Sequence, residues 1–138
     1  MNTWKTFKEI EMDKDRTFYV LNTSFNQVLN INKIHPLKQE KVYSLIKNLV
    51  NMSFLKRIWI FGSSTNNSCN INSDIDVLVE LENDSLSSDD DVVCMIQKNF
   101  AKSLGSNFDI VFLNDLDKTK QIYNNILKTR RLVYERAA

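Results

Sequence analysis

Two carboxylates, Asp74 and Asp76, lie two residues apart at the start of an apolar stretch that runs to Leu81. In a β-strand, residues i and i+2 project to the same face, so both carboxylates point to one place. Like charges held this close repel unless one is protonated or a cation lies between them. Mg²⁺ prefers oxygen ligands and is commonly held by one or two carboxylates plus substrate phosphates. The spacing therefore predicts a metal site.

A Gly-Ser pair, Gly62-Ser63, follows the apolar stretch Ile58–Phe61. Glycine leaves backbone N–H groups open to close approach, and serine adds a hydroxyl, so such a turn suits phosphate oxygens. The two carboxylates and this turn together predict a site for a metal ion and a nucleoside triphosphate.

Gly62-Ser63, a ten-residue spacer and Asp74-Ile75-Asp76 resemble the signature of the DNA polymerase beta nucleotidyltransferase superfamily. That superfamily needs a third carboxylate on a later strand, where this chain has Asp109. The ending Leu132-Val133-Tyr134-Glu135 resembles the minimal nucleotidyltransferases, many of which are antitoxins paired with HEPN-family toxins. The resemblance extends over residues 37 to 136.

The resemblance implies a polymerase-beta-like fold and a Mg²⁺-dependent enzyme. Asp74, Asp76 and Asp109 would be the catalytic residues and the ligands of two Mg²⁺ ions, and Gly62, Ser63 and Ser73 would bind the nucleotide. The implied reaction transfers AMP from ATP to a hydroxyl of a partner protein, a helical HEPN-like toxin that the chain would silence as its antitoxin.

The chain departs from the family pattern after the Gly-Ser pair. Ser64 stands where many relatives have Arg, which removes a possible phosphate contact. The spacer from Thr65 to Asn72 contains no Gly and is rich in Asn, a residue that can also adopt left-handed turns.

Composition and charge disfavour several classes of protein. The 138 residues are 43% hydrophobic and 25% charged, which predicts one globular domain, and no apolar run approaches a membrane span. Cys69 and Cys94 are too few for a disulfide scaffold or zinc site, which favours free thiols in the cytoplasm. No Lys or Arg occurs from Ile58 to Gln97, while eight acids fall between Asp74 and Asp91, so a nucleic-acid partner is disfavoured.

The hydrophobic periodicity predicts the order α-β-β-α-β-α-β and hence an α/β (α+β) fold, a mixed sheet with helices packed on it. The expected domain is a core of residues 36–136 preceded by an extension of residues 1–35. Within that extension, Arg16 to Ile31 predicts a β-hairpin or an extended arm. The expected core elements are helix Leu37–Phe54, strands Ile58–Phe61 and Asp74–Leu81, a helix capped at Ser88–Asp91 and ending near Gly105, strand Phe108–Leu113, helix Asp117–Lys128 burying Ile122, Ile126 and Leu127, and strand Leu132–Tyr134.

Two alternatives to the antitoxin function remain. The chain could be a small-molecule nucleotidyltransferase of the aminoglycoside-modifying type, although such enzymes usually carry a further helical domain and only 29 residues follow Asp109. It could also be a binding module that keeps the fold and neutralises a partner without catalysis.

Overall fold

The structure, a computed structural model, describes residues 17–49 and 52–136. It contains three helices and four strands in the predicted order, with short 3₁₀ turns between several of them. No helix in these ranges is long and apolar enough to cross a membrane. The elements are α1 (Pro36–Lys47), β1 (Leu55–Phe61), β2 (Ile75–Leu81), α2 (Asp90–Leu104), β3 (Phe108–Phe112), α3 (Gln121–Thr129) and β4 (Arg131–Glu135).

The four strands form one sheet in the order β3-β2-β1-β4. β1 pairs antiparallel with both β2 and β4, whereas β2 and β3 run parallel. The α2 crossover connects the parallel pair, as parallel strands require. The predicted mixed sheet and fold class are confirmed.

Successive side chains of β2 point alternately to the two faces of the sheet. Ile75, Val77 and Val79 are buried in the main core together with residues of α1 and α2. Leu78 faces the other way, into a smaller cluster with Phe61 and Ile126 of α3. We call this second side the outer face; it also carries the even-numbered residue Asp76.

Three helix boundaries have clear physical causes. α1 begins at Pro36, one residue before the predicted Leu37, because the missing N–H of proline costs nothing in the first turn, and the His35 ring accepts a hydrogen bond from the Leu37 N–H. The Asp89 carboxylate caps α2, and Gly105, at φ 79°, ends it. The predicted capping of this helix and its glycine stop are therefore correct.

Other predicted boundaries were wrong. α1 ends at Lys47 rather than Phe54, because the chain turns there to enter β1, which starts earlier than expected, at Leu55. α3 starts at Gln121 rather than Asp117, because the Asp117 carboxylate accepts hydrogen bonds from the Thr119 N–H and hydroxyl and forms a turn. β2 begins one residue after Asp74, and β3 ends one residue before Leu113.

The predicted burial of α3 was also too broad. Ile126 is buried, but Ile122 and Leu127 are 46% and 41% exposed. α3 packs on the outer face along a narrow line, so only one of its apolar residues becomes fully covered.

The segment before α1 forms neither a hairpin nor a strand in its described part, residues 17–35. It forms two short 3₁₀ turns, Thr23–Gln27 and Ile31–Lys33, the first capped by the Asn22 side chain. Its apolar side chains Phe25, Val28 and Ile34 lie in the main core. This segment thus completes the core beside α1; residues 1–16 of the expected extension lie outside the described residues.

We predict that Ile34→Ala lowers the free energy of unfolding by about 2–5 kcal/mol, because the side chain is fully buried and its removal leaves a cavity. Leu29→Ala in the same segment is the control: Leu29 is 49% exposed, so the loss should stay within about 0.5 kcal/mol. Urea denaturation followed by circular dichroism measures both. Equal, small losses would show that the segment is not part of the core.

Candidate active site

The register of the parallel strands places two of the predicted acids side by side. Asp76 of β2 is the register partner of Asp109 of β3, and neighbouring strands lie about 4.8 Å apart. Asp74 immediately precedes β2, at the same end of the strand. The structure thus brings the three carboxylates to one end of the outer face, on two adjacent strands.

The three acids differ in their surroundings. Asp76 is half-buried, whereas Asp74 and Asp109 are exposed. The pKa of Asp76 is raised from 3.8 to about 6, mainly by burial and in addition by the negative charges of Asp109 and Asp74. Asp76 is therefore the inner member of the group, and its charge is the least compensated.

Gly62 approaches the Asp76 carboxylate closely. Its backbone has φ 76°, and a Cβ atom built on it would lie 2.6 Å from Asp76 Oδ2. Any L-residue here would be strained and would also push against the carboxylate. Glycine is required at this position for both reasons.

The Gly62 N–H is not free to bind phosphate as the sequence suggested. It donates a 2.9 Å hydrogen bond to the Thr129 hydroxyl, which in turn donates to the Asn125 carbonyl oxygen at 3.0 Å. Thr129 ends α3, and no motif or periodicity in the sequence indicates its role. Ser63, the second residue of the predicted pair, is half-buried, and its hydroxyl can bind a ligand.

Further contacts fix the turn that follows β1. Residues Gly62–Thr65 form a 3₁₀ turn in which the Thr65 hydroxyl donates to the Gly62 carbonyl at 2.7 Å. The His35 N–H donates to the Ser64 carbonyl at 2.8 Å. Ser64, which stands at the expected Arg position, is fully buried and adds no charge to the site.

The Asn-rich spacer is shaped by side-chain hydrogen bonds, not by left-handed backbone as the sequence suggested. The Asn66 side chain accepts a bond from the Ser68 N–H, and the Asn70 side chain accepts one from the Asn72 N–H. Among the described residues, the one non-glycine residue with positive φ is Asn30, outside the spacer. The Ser73 hydroxyl accepts a 3.0 Å bond from the Asn70 N–H, so it holds the spacer beside Asp74.

The donor set fits a hard divalent cation such as Mg²⁺, because three carboxylates offer only oxygen ligands. Within residues 17–49 and 52–136, no three Asp, Glu, His or Cys side chains are already grouped closely enough to hold a metal ion.

We predict that Asp76→Asn stabilises the metal-free protein at neutral pH. The raised pKa means that ionising Asp76 destabilises the folded state; this cost is absent below pH 3.8 and complete above about pH 6. Allowing for solvent screening, the gain in EDTA should be about 1–2 kcal/mol near pH 7.5 and small near pH 4. Urea titrations at both pH values measure it, with Glu82→Gln as the exposed control; a gain that does not depend on pH contradicts the assignment.

Gly62→Ala and Gly105→Ala form a matched pair, since both glycines have φ near 80° but a Cβ at Gly105 meets nothing within 4 Å. Both variants should lose about 1–2 kcal/mol of unfolding free energy through backbone strain. Only Gly62→Ala should also weaken Mn²⁺ binding, measured by calorimetry, because it displaces the Asp76 carboxylate. Equal Mn²⁺ affinities in the two variants would show that Gly62 plays no part in the carboxylate site.

Two solved structures resemble the fold of this chain. A chain of a toxin–antitoxin complex with AMP-PNP is 23% identical; the match covers 69% of this chain and 73% of that one, with a TM-score of 0.54. A chain of a complex between a tri-AMPylated HEPN toxin from Shewanella oneidensis and an MNT antitoxin is 22% identical over 72% and 73%, with a TM-score of 0.52. At these identities the likeness supports the fold. No curated protein matches the chain.

The profile of the polymerase beta nucleotidyltransferase family matches residues 40–138, about three quarters of the sequence. The match includes the Gly-Ser turn, both strands that carry the acids, and the C-terminal strand. The resemblance noted in the sequence, and the enzyme class that it implied, are thus confirmed: the chain belongs to the polymerase beta nucleotidyltransferase family.

Proposed function

We propose that this protein is a Mg²⁺-dependent nucleotidyltransferase that transfers AMP from ATP to a hydroxyl of a partner protein and thereby acts as an antitoxin. The observation that carries the proposal is the pairing of Asp76 with Asp109 in register beside Gly62, with Asp74 immediately before the strand of Asp76. Acids so placed need a cation, and the Ser63 hydroxyl of the adjacent turn is suited to the phosphates that accompany it.

The structural relatives support the choice of partner and donor. One is a toxin–antitoxin complex with AMP-PNP, and another contains an AMPylated HEPN toxin bound to an MNT antitoxin. We infer the same partnership for this chain: ATP as the donor and a small helical HEPN-like toxin as the acceptor.

In the proposed mechanism, Asp74, Asp76 and Asp109 would hold two Mg²⁺ ions. When bound, Mg²⁺ neutralises charge on the triphosphate and lowers the pKa of the acceptor hydroxyl. Ser63 and Ser73 donate hydrogen bonds to the β- and γ-phosphates. The Gly62 N–H donates no hydrogen bond to the phosphates, because it already donates to the Thr129 hydroxyl.

Asp109 is assigned the proton transfer because it is the exposed acid on the edge strand β3, where an acceptor can reach it. It accepts the proton of the partner's hydroxyl, whose oxygen forms a new bond to the α-phosphorus. The bond from that phosphorus to the bridging oxygen breaks, and pyrophosphate leaves.

The open site of this small domain also favours a protein as the acceptor. The acids lie at one end of the open outer face, and α3 covers only part of that face. Holding reactants in attack geometry supplies much of an enzyme's rate, and here the partner must contribute the surface that aligns its own hydroxyl.

We predict that this protein, given Mg²⁺ and ATP labelled on the α-phosphate, transfers the label to the protein encoded by the neighbouring reading frame. Asp109→Asn should lower the labelling rate about 100-fold or more, because it removes the proton acceptor. Its dissociation constant for a non-hydrolysable ATP analogue should change by only about threefold, since Asp74 and Asp76 remain. Glu82→Gln, an exposed acid just beyond the other end of β2, is the control and should label normally.

The same assay separates the alternatives. Label on an aminoglycoside with none on any protein would favour the small-molecule enzyme. Metal-dependent nucleotide binding without turnover on any acceptor, together with tight binding of the partner, would favour the inactive binding module.

A further inference from the structure

Lys38 is an ionisable residue in an unusual place. It lies in the first turn of α1, yet it is only 3% exposed, whereas lysine is almost never fully buried unless it is paired. Burial is the main cause that lowers its pKa; Coulombic interactions with Cys69 and Asp74 oppose that lowering, and the interaction with Lys41 adds to it. Removing an ammonium group from water costs free energy, so its position calls for a compensating interaction.

The contacts of Lys38 lead to the site. Its ammonium donates a hydrogen bond to the Ile71 carbonyl oxygen at 3.5 Å, the one hydrogen-bond acceptor it has in the described part of the chain. Ile71 lies in the spacer three residues before Asp74, and its side chain is 75% exposed, so burial of Ile71 itself does not fix this part of the loop. In the preceding residues, His35 anchors the Gly-Ser turn through the Ser64 carbonyl. The first turn of α1 therefore contacts both loops of the site.

Lys38 also brings a positive charge to two loops that carry none of their own. The Gly-Ser turn and the spacer contain no Lys or Arg, and Ser64 stands where many relatives have Arg. The contact with Ile71 places the ammonium beside the loop that leads to Asp74, and Asp74 exerts an attraction on it that is smaller than the effects of Cys69 and Lys41.

We propose that Lys38 is a positioning residue of the nucleotide site: its ammonium holds the spacer through Ile71 and balances Asp74, so that the metal-bound triphosphate can bind. This inference rests on the proposed function of the site. Lys38 does not need to touch the nucleotide; it acts through the backbone that carries Ser73 and Asp74 and through its charge.

Replacing Lys38 by Met separates this role from a purely structural one. Methionine fills a similar volume without a charge, and exchanging a buried ion for an apolar side chain is often neutral or stabilising. Lys38→Met should therefore keep or raise the denaturation midpoint. Its dissociation constant for Mg²⁺ with a non-hydrolysable ATP analogue should nevertheless rise about tenfold, because a cation near a polyphosphate is lost. Lys38→Arg should recover most of the affinity.

Lys41→Met is the matched control, since Lys41 lies one turn further along α1 and is exposed. It removes the same charge from the same helix and should leave both measurements unchanged. Isothermal titration calorimetry and urea denaturation of the four proteins provide the data. Unchanged affinity in Lys38→Met, or a loss of affinity matched by an equal loss of stability, would overturn the proposal. Failure of the unmodified protein to bind the analogue would instead refute the proposed function.

Discussion

One constraint shapes this site: two carboxylates on neighbouring parallel strands are held side by side although they repel each other. Asp76 and Asp109 are held side by side because the core-facing residues of β2 and β3 fix the register of the two strands. A slip of one residue would turn the acids into the core and Ile75 or Val77 toward solvent. Hydrophobic burial on one face therefore maintains an unfavourable charge arrangement on the other. Burial first, and the charges of Asp109 and Asp74 second, raise the pKa of Asp76, and a divalent cation would offset the repulsion among these charges.

The loops around the acids are fixed by residues that lie far away in sequence. Thr129, at the end of α3, holds the Gly62 N–H, while His35 and Lys38, at the start of α1, hold the Ser64 and Ile71 carbonyls. The site thus depends on how α1 and α3 pack on the two faces of the sheet. Polar backbone contacts of this kind set loop geometry without supplying chemistry, and they place the Gly-Ser turn and the spacer before any ligand arrives.

Much of the fold follows directly from the sequence. The alternation from Ile75 to Leu81 and the acid at Asp109 identify β2, β3 and the face that carries the carboxylates, because strand geometry is local. Thr129 and Lys38 could not be found in this way, since their roles arise from tertiary contacts and neither belongs to a motif. The extent of α3 was misjudged for a related reason: the Asp117 side chain competes for the backbone hydrogen bonds that would have started the helix earlier.

A crystal structure of the protein with Mn²⁺ and a non-hydrolysable ATP analogue tests the carboxylate site directly, because the anomalous signal of manganese locates the ions. We expect anomalous peaks beside the carboxylates of Asp74, Asp76 and Asp109, with the phosphates lying against the Ser63 turn. An ordered nucleotide elsewhere, or a bound nucleotide without any anomalous peak at these three acids, would contradict this expectation.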